Sequence, residues 1–137
     1  MADQLETSLQ QAVSRVPECL AAGYVDLDSG MLLGIRTVDS HPSEVLDLLA
    51  AATAEMFQGS NVVTIEKMFK RARGVQDDGG HYFNEMIVNS DNLIHIFIRS
   101  KSNPQHVAGF VCRITANLGM ALSKARSSMP EVELAAA

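Results

Sequence analysis

The sequence has no tryptophan, only two cysteines in 137 residues, and no run of about 20 uncharged residues. A helix that spans a bilayer needs such a run, so we expect no membrane insertion. Asp3 and Glu6 come before any apolar run, which is not the order of charge and apolar residues in a signal peptide. We therefore expect a cytoplasmic protein.

The two cysteines, Cys19 and Cys112, lie in apolar neighbourhoods. They form no C-x-x-C pair and have no histidine cluster nearby. This spacing does not indicate a zinc site or a redox motif, and it favours buried, reduced thiols.

Positive charge is also scarce, with 11 basic against 16 acidic residues and a net charge of −5. A nucleic-acid or anionic-membrane surface needs a basic excess, so we expect neither partner. The length fits one domain, which we place at residues 1–128, followed by a flexible tail over residues 129–137. Because 47% of the residues are hydrophobic and 20% are charged, we expect a partner to cover part of the surface.

Two loops contain glycines and acids that suggest ion or phosphate binding. A calcium loop starting at Asp26 would need glycine sixth and glutamate twelfth, where Met31 and Thr37 stand, so we interpret Asp26–Gly34 as a hairpin turn. Residues 74–81, GVQDDGGH, have glycine spacing like that of a phosphate loop but lack its lysine and hydroxyl residue. We interpret that segment as a flexible linker.

His81, Glu85 and His95 are the remaining candidates for metal binding or acid–base chemistry. Strand alternation places His81 and Glu85 on one face, but the sequence does not give the register that would bring His95 beside them. We therefore predict no catalytic residues, no metal and no cofactor.

The apolar pattern predicts eight elements. A helix over Asp3–Val16 precedes a hairpin made of CLAAGYVDL and MLLGIRTV. A second helix starts with a cap at Asp39 or Ser40 and with Pro42 in its first turn, and it ends at Gly59. The other predicted elements are a strand over Val63–Arg71, a hairpin made of HYFNEMIV and NLIHIFIRS, and a helix capped by Asn103 that runs from Pro104 to Arg126.

The middle helix is apolar over an arc of roughly 240°. A helix on one sheet needs less, so a second layer or another subunit must cover the remainder. The segment after it gathers Lys67, Lys70, Arg71 and Arg73 in an otherwise acidic chain. These cations either keep an edge strand soluble or form a docking patch for an acidic partner.

The element order, with VPECLAAGYVDLDSGMLLG between the first two helices, resembles the roadblock family, which includes dynein light-chain roadblock proteins and bacterial regulators of Ras-like GTPases. Asp28 and Gly30–Gly34 match the family's D-x-x-G turn and following strand, Pro42–Gly59 its broad helix, and His106–Arg126 its closing helix. The third strand is more basic than the family pattern.

The resemblance implies an α+β fold of three α/β/α layers, roadblock/profilin-like. Its five-stranded antiparallel sheet has the order 2-1-5-4-3, with the first and last helices on one face and the middle helix on the other. Family members dimerise by pairing their third strands edge to edge and their middle helices side by side.

We therefore predict a non-enzymatic, homodimeric interaction module that docks or regulates a Ras-like small GTPase. The predicted dimer interface consists of Leu46, Ala50, Thr53, Phe57, Ile65, Lys67 and Phe69, and the predicted partner-docking residues are Lys70, Arg71 and Arg73. The alternative is a small-ligand sensory domain on a profilin-like scaffold. An enzyme that uses His81, Glu85 and His95 is the third hypothesis.

Overall fold

The computed structural model describes residues 2–39, 43–74 and 81–137. Its elements are α1 (Ala2–Arg15), β1 (Cys19–Asp26), β2 (Met31–Thr37), α2 (Ser43–Gln58), α3 (Ser60–Ala72), β3 (Glu85–Asn89), β4 (Leu93–Arg99), β5 (His106–Arg113) and α4 (Leu118–Ala136). The predicted features at Ser40 and Pro42, and residues 75–80 of the candidate phosphate loop, lie outside the described residues.

The five strands form one antiparallel sheet in the order β2-β1-β5-β4-β3. Helices α1 and α4 pack on one face, and α2 packs on the other. This confirms the predicted fold class, sheet order and helix placement. Helix α3 is an addition, because the prediction had only three helices.

The main core lies between the sheet and the pair α1 and α4. Leu5 and Leu9 of α1, Ala121 and Ala125 of α4, and Phe110 of β5 are all buried there. Position 34 of β2 must be glycine-sized, because a Cβ on Gly34 would lie 2.9 Å from a methyl carbon of Leu5. The first helix and the first hairpin are therefore held in the places that the sequence predicted.

The β1–β2 corner is a turn, as predicted. Asp26 accepts hydrogen bonds from the Asp28 N–H at 3.3 Å and from the Ser29 hydroxyl at 2.9 Å. Gly30 has a φ of 70°, which glycine adopts without strain. The Asp26 carboxylate therefore serves the turn itself.

The predicted third strand over Val63–Arg71 is wrong, because this segment belongs to helix α3. The residues from Val62 to Ile65 are all β-branched, and such residues favour strands. The buried residues of α3 are Glu66 and Lys70, which are four positions apart and therefore share a helix face. A polar buried face is not visible to a search for apolar periodicity.

The predicted closing helix over Pro104–Arg126 is wrong in its first half, because His106–Arg113 forms strand β5. In β5, Val107 packs toward α2, while Ala108, Phe110 and Cys112 pack toward α1 and α4. A central strand buried on both faces carries apolar residues without clear alternation, and such a run is easily mistaken for a helix.

The predicted tail over residues 129–137 is also wrong as secondary structure, because α4 continues to Ala136. Asn117 caps this helix by accepting a hydrogen bond from the Met120 N–H at 3.0 Å. Met129 and Val132 are buried in the main core. Pro130 lies on the exposed side of α4, where water can bind the carbonyl group that proline leaves without a partner.

Candidate protein interaction surface

Helix α2 covers only part of its sheet face, and a groove of about 250 Å³ remains between helix and sheet. Neighbouring residues on four strands form one wall, and they are Val88, His95, Val111 and Ala21. The next row along the sheet contains the paired glycines Gly23 and Gly109, whose missing side chains deepen the groove.

The groove contains two polar side chains, Thr53 and His95, among the described residues that line it. The Thr53 hydroxyl donates to the Leu49 carbonyl at 2.8 Å and is therefore already bonded. Burial lowers the pKa of His95, so its imidazole is neutral at pH 7. His95 also stacks parallel to Phe97, with ring centroids 6.4 Å apart. The groove is therefore apolar and uncharged at neutral pH.

On α2, the residues predicted for the dimer interface mostly face inward. Ala50, Thr53 and Phe57 are buried against the sheet, and Leu46 is half-buried at the groove. The apolar side chains that α2 exposes are instead Leu48, at 71%, and Leu49, at 56%. The predicted surplus of apolar surface is thus present, but on different residues.

Helix α3 is attached to the rest of the protein by polar groups. The buried carboxylate of Glu66 accepts hydrogen bonds from the N–H groups of Tyr82 at 2.6 Å and Phe83 at 3.0 Å. Arg99 of β4 donates from Nε to the Phe83 carbonyl at 2.9 Å and from Nη1 to the Pro104 carbonyl at 2.6 Å. The segment before β3 is therefore clamped between α3 and the sheet.

The same arginine connects this clamp to α2. Its guanidinium lies 5.1 Å from the centre of the Phe57 ring, which favours a cation–π contact. Gln58 donates to the Leu27 carbonyl at 2.6 Å and fixes the end of α2 to the β1–β2 turn. The junction between α2 and α3 is thus held firmly, although few apolar side chains are buried there.

The outward face of α3 is apolar. Ile65, Met68 and Phe69 are between 42% and 57% exposed, although Phe69 also contacts the rings of Tyr82 and Phe83. An amphipathic helix in a folded protein normally buries such residues and exposes its charges. Here the buried pair is Glu66 and Lys70, which is the reverse arrangement.

The cations predicted for docking differ in their accessibility. Arg71 and Arg73 are exposed, and so is Lys67 of the predicted interface. Arg73 lies over the Tyr82 ring at 5.9 Å and donates to its hydroxyl at 3.4 Å. Lys70 is only 6% exposed, so it contributes to the attachment of α3 and not to an outer surface.

Strand β3 forms an edge of the sheet and pairs only with β4 among the described residues. Ile87 and Val88 of this strand are each about two-fifths exposed. An exposed edge strand offers backbone N–H and C=O groups to another chain. The edge, the groove and the outward face of α3 therefore form the candidate interaction surface.

The three candidate catalytic residues do not converge. Glu85 accepts two hydrogen bonds from Arg126, at 2.7 and 2.8 Å, on the α4 side of the sheet. His95 lines the groove on the opposite face, and His81 lies beside Gln105, with 3.0 Å between their Nε2 atoms. Within residues 2–39, 43–74 and 81–137 no three potential metal ligands cluster.

None of the helices in the described ranges has the length and apolar character that crossing a bilayer requires.

Sequence reasoning missed Leu48, Met68 and Ile87 as exposed apolar residues. Leu48 was visible as part of an apolar arc too wide for one sheet, but the arc did not show which side faced the core. Met68 was assigned to a strand, so its helical neighbours were not considered. The outer position of Ile87 depends on which strand lies at the sheet edge, which is a property of the whole fold.

No protein-family model and no curated protein matches this sequence. Solved structures are similar to it at low sequence identity. The gliding protein MglB from Thermus thermophilus has a TM-score of 0.70 at 15% identity, with 98% of this chain and 90% of that chain covered. An MglB structure with a tetrameric arrangement has a TM-score of 0.69 at 17% identity, with 98% and 91% covered. A roadblock/LC7 domain from Streptomyces avermitilis has a TM-score of 0.66 at 15% identity, with 94% of each chain covered. Together with the sheet order and helix placement, these similarities identify the fold of this chain as the roadblock/LC7 fold.

Proposed function

We propose that this chain is a non-enzymatic interaction module that forms a homodimer and docks a Ras-like small GTPase. The observation that carries the proposal is the unsealed face of the sheet, where α2 and α3 leave apolar side chains in solvent. Apolar surface of this kind, next to an open strand edge, favours a protein partner. The roadblock fold supplies the class of partner by resemblance.

The dimer would form along β3 and α2. The Arg99 N–H donates to the Asn84 carbonyl, and the Ser90 N–H donates to the Leu93 carbonyl. Because antiparallel pairing alternates, the backbone groups of Met86 and Val88 point toward β4 and those of Ile87 point away from it. Ile87 therefore has an N–H and a C=O available for the partner's strand.

The dimer is tested first at the strand edge. Ile87→Pro removes an N–H that makes no bond to β4, and proline is tolerated on edge strands at such positions. We expect this variant to remain folded and to be a monomer by sedimentation equilibrium at a concentration where the wild type is a dimer. A dimer of unchanged affinity would exclude pairing through β3.

The helix contribution is tested with exposed leucines. We expect the double variant Leu48→Asp, Leu49→Asp to shift the equilibrium to monomer. A stable dimer buries about 1,200 Å² or more, and these two side chains would lie in that buried interface. Leu134→Asp is the matched control, because Leu134 is an exposed leucine of α4 on the other side of the sheet. If both variants dissociate equally, the dimer does not use α2.

For the GTPase, the outward face of α3 is the docking surface we favour. Its apolar residues Ile65 and Met68 lie near the exposed cations Lys67 and Arg71, with Arg73 just beyond the helix end. Apolar anchors give affinity, and the cations steer an acidic partner and orient it.

The docking proposal is tested with purified Ras-like GTPases from the same genome, loaded with GDP or with a slowly hydrolysed GTP analogue. We expect binding by interferometry to fall about tenfold or more in Met68→Asp and less in Arg71→Glu. Lys124→Glu, on the exposed side of α4, is the matched charge control. Binding that none of these changes affects would exclude α3 as the docking surface.

A small-ligand sensor is the second candidate, and the apolar groove favours it. Its volume of about 250 Å³ is just below the usual range of ligand sites. The described residues that line the groove include two polar side chains, Thr53 and His95. Thr53 is already hydrogen-bonded to its own helix, so the neutral His95 is the polar side chain that would orient a ligand. Native mass spectrometry of the purified protein tests this function. A retained small molecule that is lost in Gly109→Val, which narrows the groove, would favour the sensor over the docking module.

A further inference from the structure

Cys19 and Cys112 are direct neighbours across the β1–β5 ladder. Cys19 is the first residue of β1, and Cys112 is the last but one of β5. Both thiols are free and buried in the core beneath α1 and α4, with Cys19 8% exposed. Residues that are 93 positions apart in sequence are thus side by side in the fold.

The backbone bonds around this pair fix its geometry. The Arg113 N–H donates to the Glu18 carbonyl at 3.1 Å, whereas the Cys19 N–H donates to the Val16 carbonyl and not across the ladder. The register of the ladder shifts directly after this pair, between Cys19 and Ala21, so Cys19 and Cys112 are opposed at the end of the regular pairing. Directly opposed residues of antiparallel strands have Cα atoms about 4.5–5.5 Å apart. That separation lies inside the range of about 4.4–6.8 Å found in disulfides. The Cys19 thiol donates a hydrogen bond to the Ala21 carbonyl at 3.2 Å, and both cysteine side chains lie on the sheet face that α1 and α4 cover.

We propose that Cys19 and Cys112 form a reversible modification site, at which a peroxide converts the thiol pair to a cross-strand disulfide. The Cys19 thiolate attacks one peroxide oxygen, the O–O bond breaks, and Cys19 becomes a sulfenic acid while the other oxygen leaves as water after protonation. The Cys112 sulfur then attacks the Cys19 sulfur, the S–O bond breaks, and a second water leaves. Two thiols are oxidised by two electrons, and one peroxide is reduced to two waters.

The surroundings assign the first step to Cys19. The neighbouring Cys112 thiol lowers the pKa of the Cys19 thiol, whereas the neighbouring Cys19 sulfur and burial raise the pKa of the Cys112 thiol. Cys19 also follows Glu18, which has a φ of 51°, an unfavourable value for a side-chain-bearing residue. The turn over Cys19 is closed by a 2.6 Å hydrogen bond from the Thr115 hydroxyl to the Glu18 carboxylate. Because both thiols are buried, the proposed reaction requires a local opening of this turn to admit the peroxide.

The test treats the whole purified chain with hydrogen peroxide and maps its peptides without reduction. We expect one species that links the peptides of Cys19 and Cys112, and it should return to two thiols with dithiothreitol. Peptide mapping separates this product from methionine oxidation, which the seven methionines make unavoidable. We also expect the oxidised chain to melt about 5 °C higher or more, because the new bond closes a long loop of the unfolded chain.

Two variants report on the order of steps. In Cys112→Ala we expect a sulfenic or sulfinic acid at Cys19, and in Cys19→Ser we expect Cys112 to remain a thiol. The wild-type map decides the proposal even if either variant folds poorly. Disulfides between chains, over-oxidation of Cys19 beside an intact Cys112 thiol, or no thiol oxidation at all would each overturn it.

Discussion

Helices α1 and α4 cover one face of the sheet with side chains that are almost completely buried, whereas α2 and α3 leave a groove and several apolar side chains open on the other. On the first face, Leu9, Phe110 and Val132 have no exposed surface. On the second face, Leu48 and Met68 are mostly exposed, and a carboxylate and an arginine hold α3 in place. The two faces therefore differ in what their side chains can do, because the sealed face contributes most of the buried core and the open face is the one for which we propose a partner.

The largest expected effect comes from the sealed face. Phe110→Ala removes a fully buried ring between α1, α4 and the sheet, so we expect the free energy of unfolding to fall by about 3–5 kcal/mol. Phe69→Ala on the open face should cost about 1 kcal/mol or less, since that ring is nearly half exposed. Urea denaturation measures both. Similar losses in the two variants would contradict the division between the faces.

Two glycines sharpen the same comparison. A Cβ on Gly34 would lie 2.9 Å from a Leu5 methyl carbon, whereas a Cβ on Gly109 would lie 3.4 Å from the Phe97 ring at the open groove. We expect Gly34→Ala to destabilise the fold by about 1–2 kcal/mol through overpacking. Gly109→Ala should be neutral or stabilise by up to about 1 kcal/mol, because alanine restricts the unfolded chain. The melting temperatures of the two variants measure these changes in stability. A Gly34→Ala variant that is more stable than the wild type would show that α1 can move away from the sheet.

The next prediction concerns the polar attachment of α3. Glu66→Ala leaves the Tyr82 and Phe83 N–H groups without their acceptor, which costs about 1–3 kcal/mol if they stay buried. We expect α3 to detach locally while the sheet remains folded, so hydrogen exchange should accelerate at Tyr82 and Phe83 and in α3 but not in β5. Glu66→Gln keeps one acceptor oxygen and is the matched control. Equal acceleration in β5 would mean that α3 is part of the global folding unit.

Elements that local residues decide could be predicted from the sequence, and elements that depend on distant neighbours could not. The first helix and the β1–β2 hairpin were placed correctly because Leu5, Leu9 and the turn at Asp28 follow local rules. Strand β5 was assigned to a helix because Val107, Phe110 and Val111 fit both a helical stripe and a strand buried on both sides. The two interpretations differ in whether strands lie on both sides of this segment, and a single sequence does not show which segments pair with each other.

The order 2-1-5-4-3 was nevertheless correct, although the third, fourth and fifth strands were each assigned to an earlier segment of the chain. It came from the resemblance to a family fold, which does not depend on where each strand begins. Knowledge of the fold did not show which residues of α2 face away from the sheet. Ala50 and Phe57 were chosen from an apolar arc, but which part of the arc faces the sheet depends on the angle at which α2 packs.

The smallest expected effect is a pH dependence located on the open face. Burial, and after it the charge of Arg99, lowers the pKa of His81, while Glu66 opposes this; burial alone lowers the pKa of His95. With folded pKa values below 6.5, the unfolded chain binds more protons at acidic pH, so stability is complete above about pH 6.5 and declines as the pH falls below it. Glu85, whose pKa Arg126 lowers, adds a separate loss of stability only below about pH 4.5.

We expect His95→Gln to flatten the decline in stability between pH 6.5 and 5 in urea titrations, whereas a change at the exposed Arg71 should leave the decline unaltered. A decline that keeps its full slope in His95→Gln would assign it to His81 and the α3 attachment, and not to the groove.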